Sequence, residues 1–205
     1  WLANVGVGMT IRAGAPCFTV ATAAPMFTKL AMPISPDAID CANAGVLGPL
    51  SPLGHIPTEA WREVIDVNLT SAFLVTRAVV PGMLRRGGGK IINLCSLNSE
   101  ISRPTIANYA AAKGGLKMLT RAMAVEWGGR NIQANGLAPG YMRTNLTGVM
   151  TVDPHWERYI RERTPAGRWG EPKELVGATV FLASRAADFV NGQILFVDGG
   201  LLAAL

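Results

Sequence analysis

Ser96, Tyr109 and Lys113 are the residues of this chain whose types and spacing could together do redox chemistry at a carbonyl. Tyr109 and Lys113 stand four residues apart, so on a helix their side chains emerge on one face. An ammonium beside a phenol favours the phenolate and would draw its pKa down from about 10 toward neutral. Such a tyrosine can pass a proton to or from a substrate oxygen while hydride moves at the adjoining carbon. The same spacing also occurs by chance on surface helices, and Ser96 is what separates the two readings. It ends a short apolar run, at the strand end where open α/β sheets bind ligands, and its hydroxyl can donate to the same oxygen. A serine that merely terminates a strand is the plainer alternative, and Ser99 and Ser102 lie close by. The thirteen-residue interval to Tyr109 favours Ser96.

These groups need a frame. Lys90-Ile-Ile-Asn-Leu-Cys-Ser96 reads as a parallel strand buried on both faces. Asn108 to Trp127 reads as a long helix carrying Tyr109 and Lys113. Thr58 to Arg86 reads as another, with Thr58 as N-cap and Gly87-Gly88-Gly89 as its stop. Further on come a strand from Asn131 to Leu137, a turn at Pro139-Gly140, and a polar loop from Tyr141 to Arg168 with one or two short helices. A helix from Glu171 to Ser184 and a strand from Gln193 to Val197 close the series. This alternation predicts an α/β fold, a parallel sheet with helices on both faces and right-handed crossovers.

Three polar or small-residue features lie near that frame. Asn68 falls on the apolar stripe of its helix, and a buried amide must find partners. It is either a satisfied core asparagine that kinks the helix or the holder of a water that relays protons to Lys113. Asn43-Ala44-Gly45 follows the weak strand Ile39-Asp-Cys-Ala42, and small residues there would let the backbone approach a nucleotide closely. Pro139-Gly140 offers the same after another strand, with Thr144 adding a hydroxyl.

The chain has 205 residues and 49% hydrophobic composition, enough to bury one core, so residues 1–205 are expected to form a single domain. Its net charge of +5 is modest and no basic run is interleaved with aromatics, which argues against nucleic acid as a partner. Cys17, Cys41 and Cys95 are odd in number and lack C-x-x-C spacing, so neither a disulfide framework nor a metal site is expected, and reduced thiols fit a cytoplasmic protein. The apolar stretch from Ala13 to Leu30 imitates a weak signal peptide, but Pro16 and Pro25 interrupt it. No window approaches the ~18 unbroken apolar residues of a membrane span, so no membrane partner is expected.

Asn43-Ala-Gly45, Asn68, Ser96, Tyr109-x-x-x-Lys113, Asn135-Gly136, Pro139-Gly140 with Thr144, and Val197-Asp-Gly-Gly200 together resemble the short-chain dehydrogenase/reductase family, with its Rossmann-like sheet. Finer wording is similar to the gluconate 5-dehydrogenases: Lys90 to Glu100, Lys117-Met-Leu-Thr-Arg121, Arg163 to Gly170, and Asp188-Phe-Val-Asn-Gly192. The resemblance implies a ketone/secondary-alcohol oxidoreductase acting on 5-keto-D-gluconate and D-gluconate with NADP or NAD. It implies Tyr109 as general acid/base, Ser96 as its substrate-orienting partner, Lys113 on the nicotinamide ribose and Asn68 in the proton relay. Asn43, Ala44, Gly45, Tyr109, Lys113, Pro139, Gly140, Met142 and Thr144 would touch the cofactor. Glu100 is either a ligand for sugar-acid hydroxyls or an ordinary loop carboxylate. Arg103 and Arg143 could meet the substrate carboxylate or remain solvated. Relatives of this type assemble as dimers and tetramers through their long helices, and the apolar Leu201 to Leu205 would suit such an interface.

Two departures qualify the resemblance. Val46-Leu-Gly-Pro-Leu50 stands where gluconate-type relatives usually carry arginines. Residues 1–38 match nothing in the family: an intact relative would present three more strands and the glycine turn that seats the pyrophosphate. Gly6-Val-Gly8 does not supply that turn. The expectation is a sheet with incomplete N-terminal strands, from a truncated, rearranged or misread coding region, that binds cofactor weakly or not at all. Two alternatives accompany the gluconate reading: a 3-oxoacyl-thioester reductase of the same family, and a non-catalytic fragment acting through association with intact subunits.

Overall fold

Four parallel strands make the sheet in the order β1-β2-β3-β4: β1 Ile39–Ala42, β2 Gly89–Leu94, β3 Ile132–Pro139 and β4 Ile194–Val197. The computed structural model describes residues 39–204, and expectations that fall on residues 1–38 lie outside the described residues. Ile91 pairs with Ala134 and Leu94 with Leu137, which sets the relative height of the β2 and β3 carboxyl ends. Successive side chains of a strand point to opposite faces. Ile91, Ile132 and Ala134 accordingly pack with Val80, Met83 and Met123 from the long helices on one face. Ile92 and Leu137 pack with Leu182 on the other. Helices therefore cover both faces, and the near-continuous apolar reading of Lys90 to Cys95 follows from that double burial.

On the first face lie α1 (Thr58–Ile65), α2 (Ser71–Arg86) and α3 (Ala107–Trp127). On the second lies α6 (Val176–Ala183), preceded by a short 3-10 turn at Pro172–Leu175. The polar connection after β3 carries α4 (Gly148–Thr151) and α5 (Pro154–Arg163), the short helices expected there. A bridge between Met142 and Gly170 ties the two ends of this connection together beside β3.

The Thr58–Arg86 helix differs from the sequence reading in two ways. Pro57, not Thr58, holds the N-cap position, and Thr58 is already helical with no side-chain cap. Proline fixes the pre-helical backbone but has no capping oxygen, and Thr58, already inside the first turn, is one position too late to cap, so the first-turn amides receive no side-chain cap. Between α1 and α2 the backbone widens into one π turn at Asp66–Thr70, with Asn68 buried inside it. At the far end the expected stop is present: Gly87 adopts a left-handed φ of 80°, and Gly88 N–H donates to Met83 O at 3.1 Å. By length and composition this continuous helix could cross a bilayer, although charged residues such as Asp66 and Arg77 interrupt its apolar run. Its Val64, Ala72, Val80 and Met83 are instead packed into the core.

Candidate active site

Ser96 follows β2 in extended conformation and caps the 3-10 turn Leu97–Ser99. Asn98 N–H donates to its Oγ at 3.1 Å, while its own N–H donates to Ser99 Oγ at 3.3 Å. Ser99 thus locks the backbone of Ser96, a role that spacing alone did not reveal. Ser96 Oγ also lies 3.5 Å from Asn98 Oδ1, to which it can donate. Burial raises the pKa of the Tyr109 phenol above its ordinary value of 10.0, and the neighbouring Ser96 hydroxyl opposes that shift.

Lys113 lies one turn further along α3, buried like Tyr109. Its Nζ donates to Leu94 O at 2.6 Å and stands 5.8 Å from the Tyr109 ring centroid. Burial lowers its pKa to about 8, with Cys95 opposing the shift. This corrects the expectation that the ammonium makes Tyr109 a ready phenolate. The amine is turned toward the strand carbonyl and the ring face, and desolvation favours the neutral form of both groups.

Asn68 is brought to the same place from the π turn. Its Nδ2 donates to Val64 O and to Val46 O, each at 2.8 Å. A side-chain amide inserted against the i−4 carbonyl gives a physical reason for the widened turn. Its Oδ1 is buried without a partner. A methyl at Gly45 would lie 3.2 Å from that oxygen and 3.8 Å from Lys113 Nζ. Asn68 is thus a satisfied core amide on its nitrogen side, while its oxygen faces Gly45 beside the lysine amine.

The small-residue turns have unequal roles. Asn43 and Ala44 are half-buried where β1 ends, and Gly45 is exposed. Gly140 is small for an internal reason: a methyl there would sit 2.7 Å from both Cα and Cβ of Asp198. The chain after β4 takes the space a side chain would need there, which gives that glycine a packing reason of its own. Likewise Asn135 is a fastener, donating to Val190 O at 2.7 Å and accepting from Gln193 N–H at 3.0 Å. Met142 is buried beside Gly170, and Thr144 is exposed and caps the turn Asn145–Thr147.

Glu100 pairs with Lys117 at 2.9 Å, so its carboxylate is engaged one turn from Lys113. Arg143 lies between Glu157 and Glu171, at 3.6 and 3.7 Å. Arg103 instead lies over the Trp156 ring, 4.9 Å from its centroid, and burial raises the pKa of Tyr141 while the nearby Arg103 charge opposes the shift. Sequence reasoning passed over Tyr141 and Trp156. The aromatic density of His155-Trp156-Glu-Arg-Tyr159 inside an otherwise polar loop was the available signal, since Trp156 and Tyr159 stack edge to face at 5.5 Å.

A family profile described as Enoyl-(Acyl carrier protein) reductase matches residues 35–202 of this chain. The 5-keto-D-gluconate 5-reductase of Escherichia coli (strain K12) is 50% identical over 172 residues, 84% of this chain and 67% of that protein. The 2-dehydro-3-deoxy-D-gluconate 5-dehydrogenase of Formosa agariphila is 46% identical over 179 residues, 87% of this chain and 67% of that protein. A crystal structure of a gluconate 5-dehydrogenase from Burkholderia cenocepacia J2315 in complex with NADP and tartrate superposes with a TM-score of 0.80 at 50% identity. That likeness covers 82% of this chain and 66% of the other. The chain spans about two thirds of the length of these relatives.

Proposed function

We propose, from the premise that this chain belongs to the short-chain dehydrogenase/reductase family, that it interconverts a ketone and a secondary alcohol on a sugar acid, 5-keto-D-gluconate and D-gluconate, with NADP or NAD. The observation that carries this reading is the burial of Ser96, Tyr109 and Lys113 about the carboxyl end of β2, with Ser96 capped just after the strand and the Lys113 amine tied to Leu94 O at its end and 5.8 Å from the Tyr109 ring.

The described residues fit the nicotinamide-ribose end of such a cofactor. Lys113 spends one of its N–H groups on Leu94 O and keeps others for ribose hydroxyls. The orphaned Asn68 Oδ1 and the open surface at Gly45 adjoin it. When bound, the cofactor supplies or accepts the hydride. Everything else is done by the chain. Ser96 Oγ–H donates to the substrate carbonyl oxygen and fixes its direction. Tyr109, held protonated by burial, donates its phenolic proton to that oxygen as it becomes an alcohol. The resulting phenolate is recharged through Lys113, and a water held by Asn68 Oδ1 completes the path inward. Oxidation runs the same steps backward.

Exposed apolar side chains on the two long helices, Phe73 and Leu74 on α2 and Met118 and Val125 on α3, support a homo-oligomer built through that face. The buried free thiol of Cys95 fits a reducing, cytoplasmic setting.

The test is turnover of 5-ketogluconate with NADPH and NADH, in wild type and in Tyr109→Phe. Turnover lost in the variant supports the reading. Identical backgrounds would favour the non-catalytic fragment, and turnover of a 3-oxoacyl thioester alone would favour that alternative substrate.

A further inference from the structure

We infer that Arg103 is the anchor for the substrate carboxylate, presented by Trp156 and set beside the Tyr141 hydroxyl. The inference rests on the sugar-acid reading above and names the group that recognises the acid end of the molecule.

Ser96 and Tyr109 stand at the two ends of one connection between β2 and α3, and Arg103 lies in its middle. The connection is held from both sides. Ser96 is locked into its cap, and Ser51 N–H donates to Thr105 O at 3.2 Å. Thr105 takes a left-handed φ of 74°, a conformation that a β-branched residue adopts only where its surroundings enforce it. The guanidinium is fixed as well. Its Nη1 donates to Pro104 O at 3.3 Å and to Thr105 Oγ1 at 3.5 Å, and its plane lies over Trp156 on α5. Tyr141, just beyond β3, closes the other side. Three segments separated in sequence thus converge on one cation, beside the strand ends that carry the reacting groups.

That cation lacks an anion. Among the described residues, the neighbouring basic groups are already matched: Lys117 by Glu100, Arg143 by Glu157 and Glu171, and Arg168 by Glu174 at 2.7 Å. No carboxylate of the described residues forms an ion pair with Arg103. Its two recorded hydrogen bonds both use Nη1, whereas guanidinium offers further donors in a fork that matches a carboxylate. A half-buried guanidinium on an aromatic face is also less hydrated than a free one, so an incoming carboxylate displaces little water. A 5-keto aldonate carries its carboxylate at the opposite end from the reacting carbonyl. That matches an anchor in mid-connection, away from Ser96 and Tyr109.

The experiment is calorimetric titration of the whole chain with D-gluconate and with the neutral polyol D-glucitol, in wild type, Arg103→Met, Arg103→Gln and Arg143→Met. Arg103→Gln can still donate to Pro104 O and guards against a loop that fails to fold. Both Arg103 variants should lose gluconate affinity by about ten- to a hundredfold while glucitol binding stays unchanged. Arg143→Met should keep the gluconate preference. Gluconate binding undiminished in both Arg103 variants overturns the anchor and leaves the sugar-acid reading standing. A wild type that fails to prefer gluconate over glucitol overturns both.

Discussion

The Lys113 amine donates to Leu94 O at 2.6 Å and lies 5.8 Å from the centroid of the Tyr109 ring. Four-residue spacing on a helix guarantees a shared face, not a shared hydrogen bond. The consequence is a proton donor held neutral by burial rather than a phenolate held charged by its neighbour.

The pH dependence of turnover should show this. Tyr109 is raised above 10.0, so ketone reduction, which needs the protonated phenol, should have no alkaline fall due to Tyr109 below that pH. Alcohol oxidation, which needs the phenolate, should rise with pH across the same range. Rate profiles in both directions with Tyr109→Phe as the blank check it: a fall in reduction near pH 8 reports the Lys113 relay, whereas an oxidation rate that levels off well below pH 10 would count against the assignment.

Stability should report on Lys113 independently of catalysis. Its pKa falls from 10.5 when unfolded to about 8 when folded, so between those values the unfolded chain binds more protons. Stability therefore rises with pH through that window, relative to a variant without the amine. Denaturant midpoints of wild type and Lys113→Met, compared at pH 7.5 and 9.5, measure the difference. Equal pH slopes in the two proteins would show that the amine is not buried as described.

Asn68→Ala should lose both halves of the side chain's work. Removing Nδ2 leaves Val46 O and Val64 O without their bonds, at a cost of about 1–3 kcal/mol by urea unfolding. Removing Oδ1 should also lower turnover beyond any loss of folded protein. Asn68→Asp separates the two, since it keeps an oxygen but loses the donor.

Gly140→Ala should destabilise the fold by about 1–3 kcal/mol whether or not any nucleotide is bound, because the new methyl would meet the Asp198 backbone at 2.7 Å. A thermal melt without cofactor checks this. An unchanged melting temperature would show that the contact with Asp198 is not what requires glycine there.

The sequence of residues 1–38 carries no G-x-x-x-G-x-G pattern, and dinucleotide affinity is expected to be correspondingly poor. Fluorescence titration of the whole chain with NADH and NADPH is expected to show no saturation at submillimolar concentrations. Tight binding of either would show that another segment seats the pyrophosphate.

What the sequence determined by itself was the part governed by local pattern. The double burial of β2, the period of α3, the stop at Gly87 and the polar connection after β3 each follow from residues close together in the chain, where side-chain alternation and backbone preference act directly. The set Asn68, Ser96, Tyr109 and Lys113 was legible for the same reason, through fixed spacing on regular elements. Tertiary structure decided what each group touches. Thr58 gave way to Pro57 because a cap depends on backbone angles, not on the residue's general preference. Gly140 proved small because of Asp198, some sixty residues away in sequence. Arg103 and Arg143 looked alike in the chain, yet only folding brought carboxylates to one and left an aromatic face and a hydroxyl to the other. Charge pairing and desolvation fall off over a few ångströms through space, and distance along the chain does not encode them.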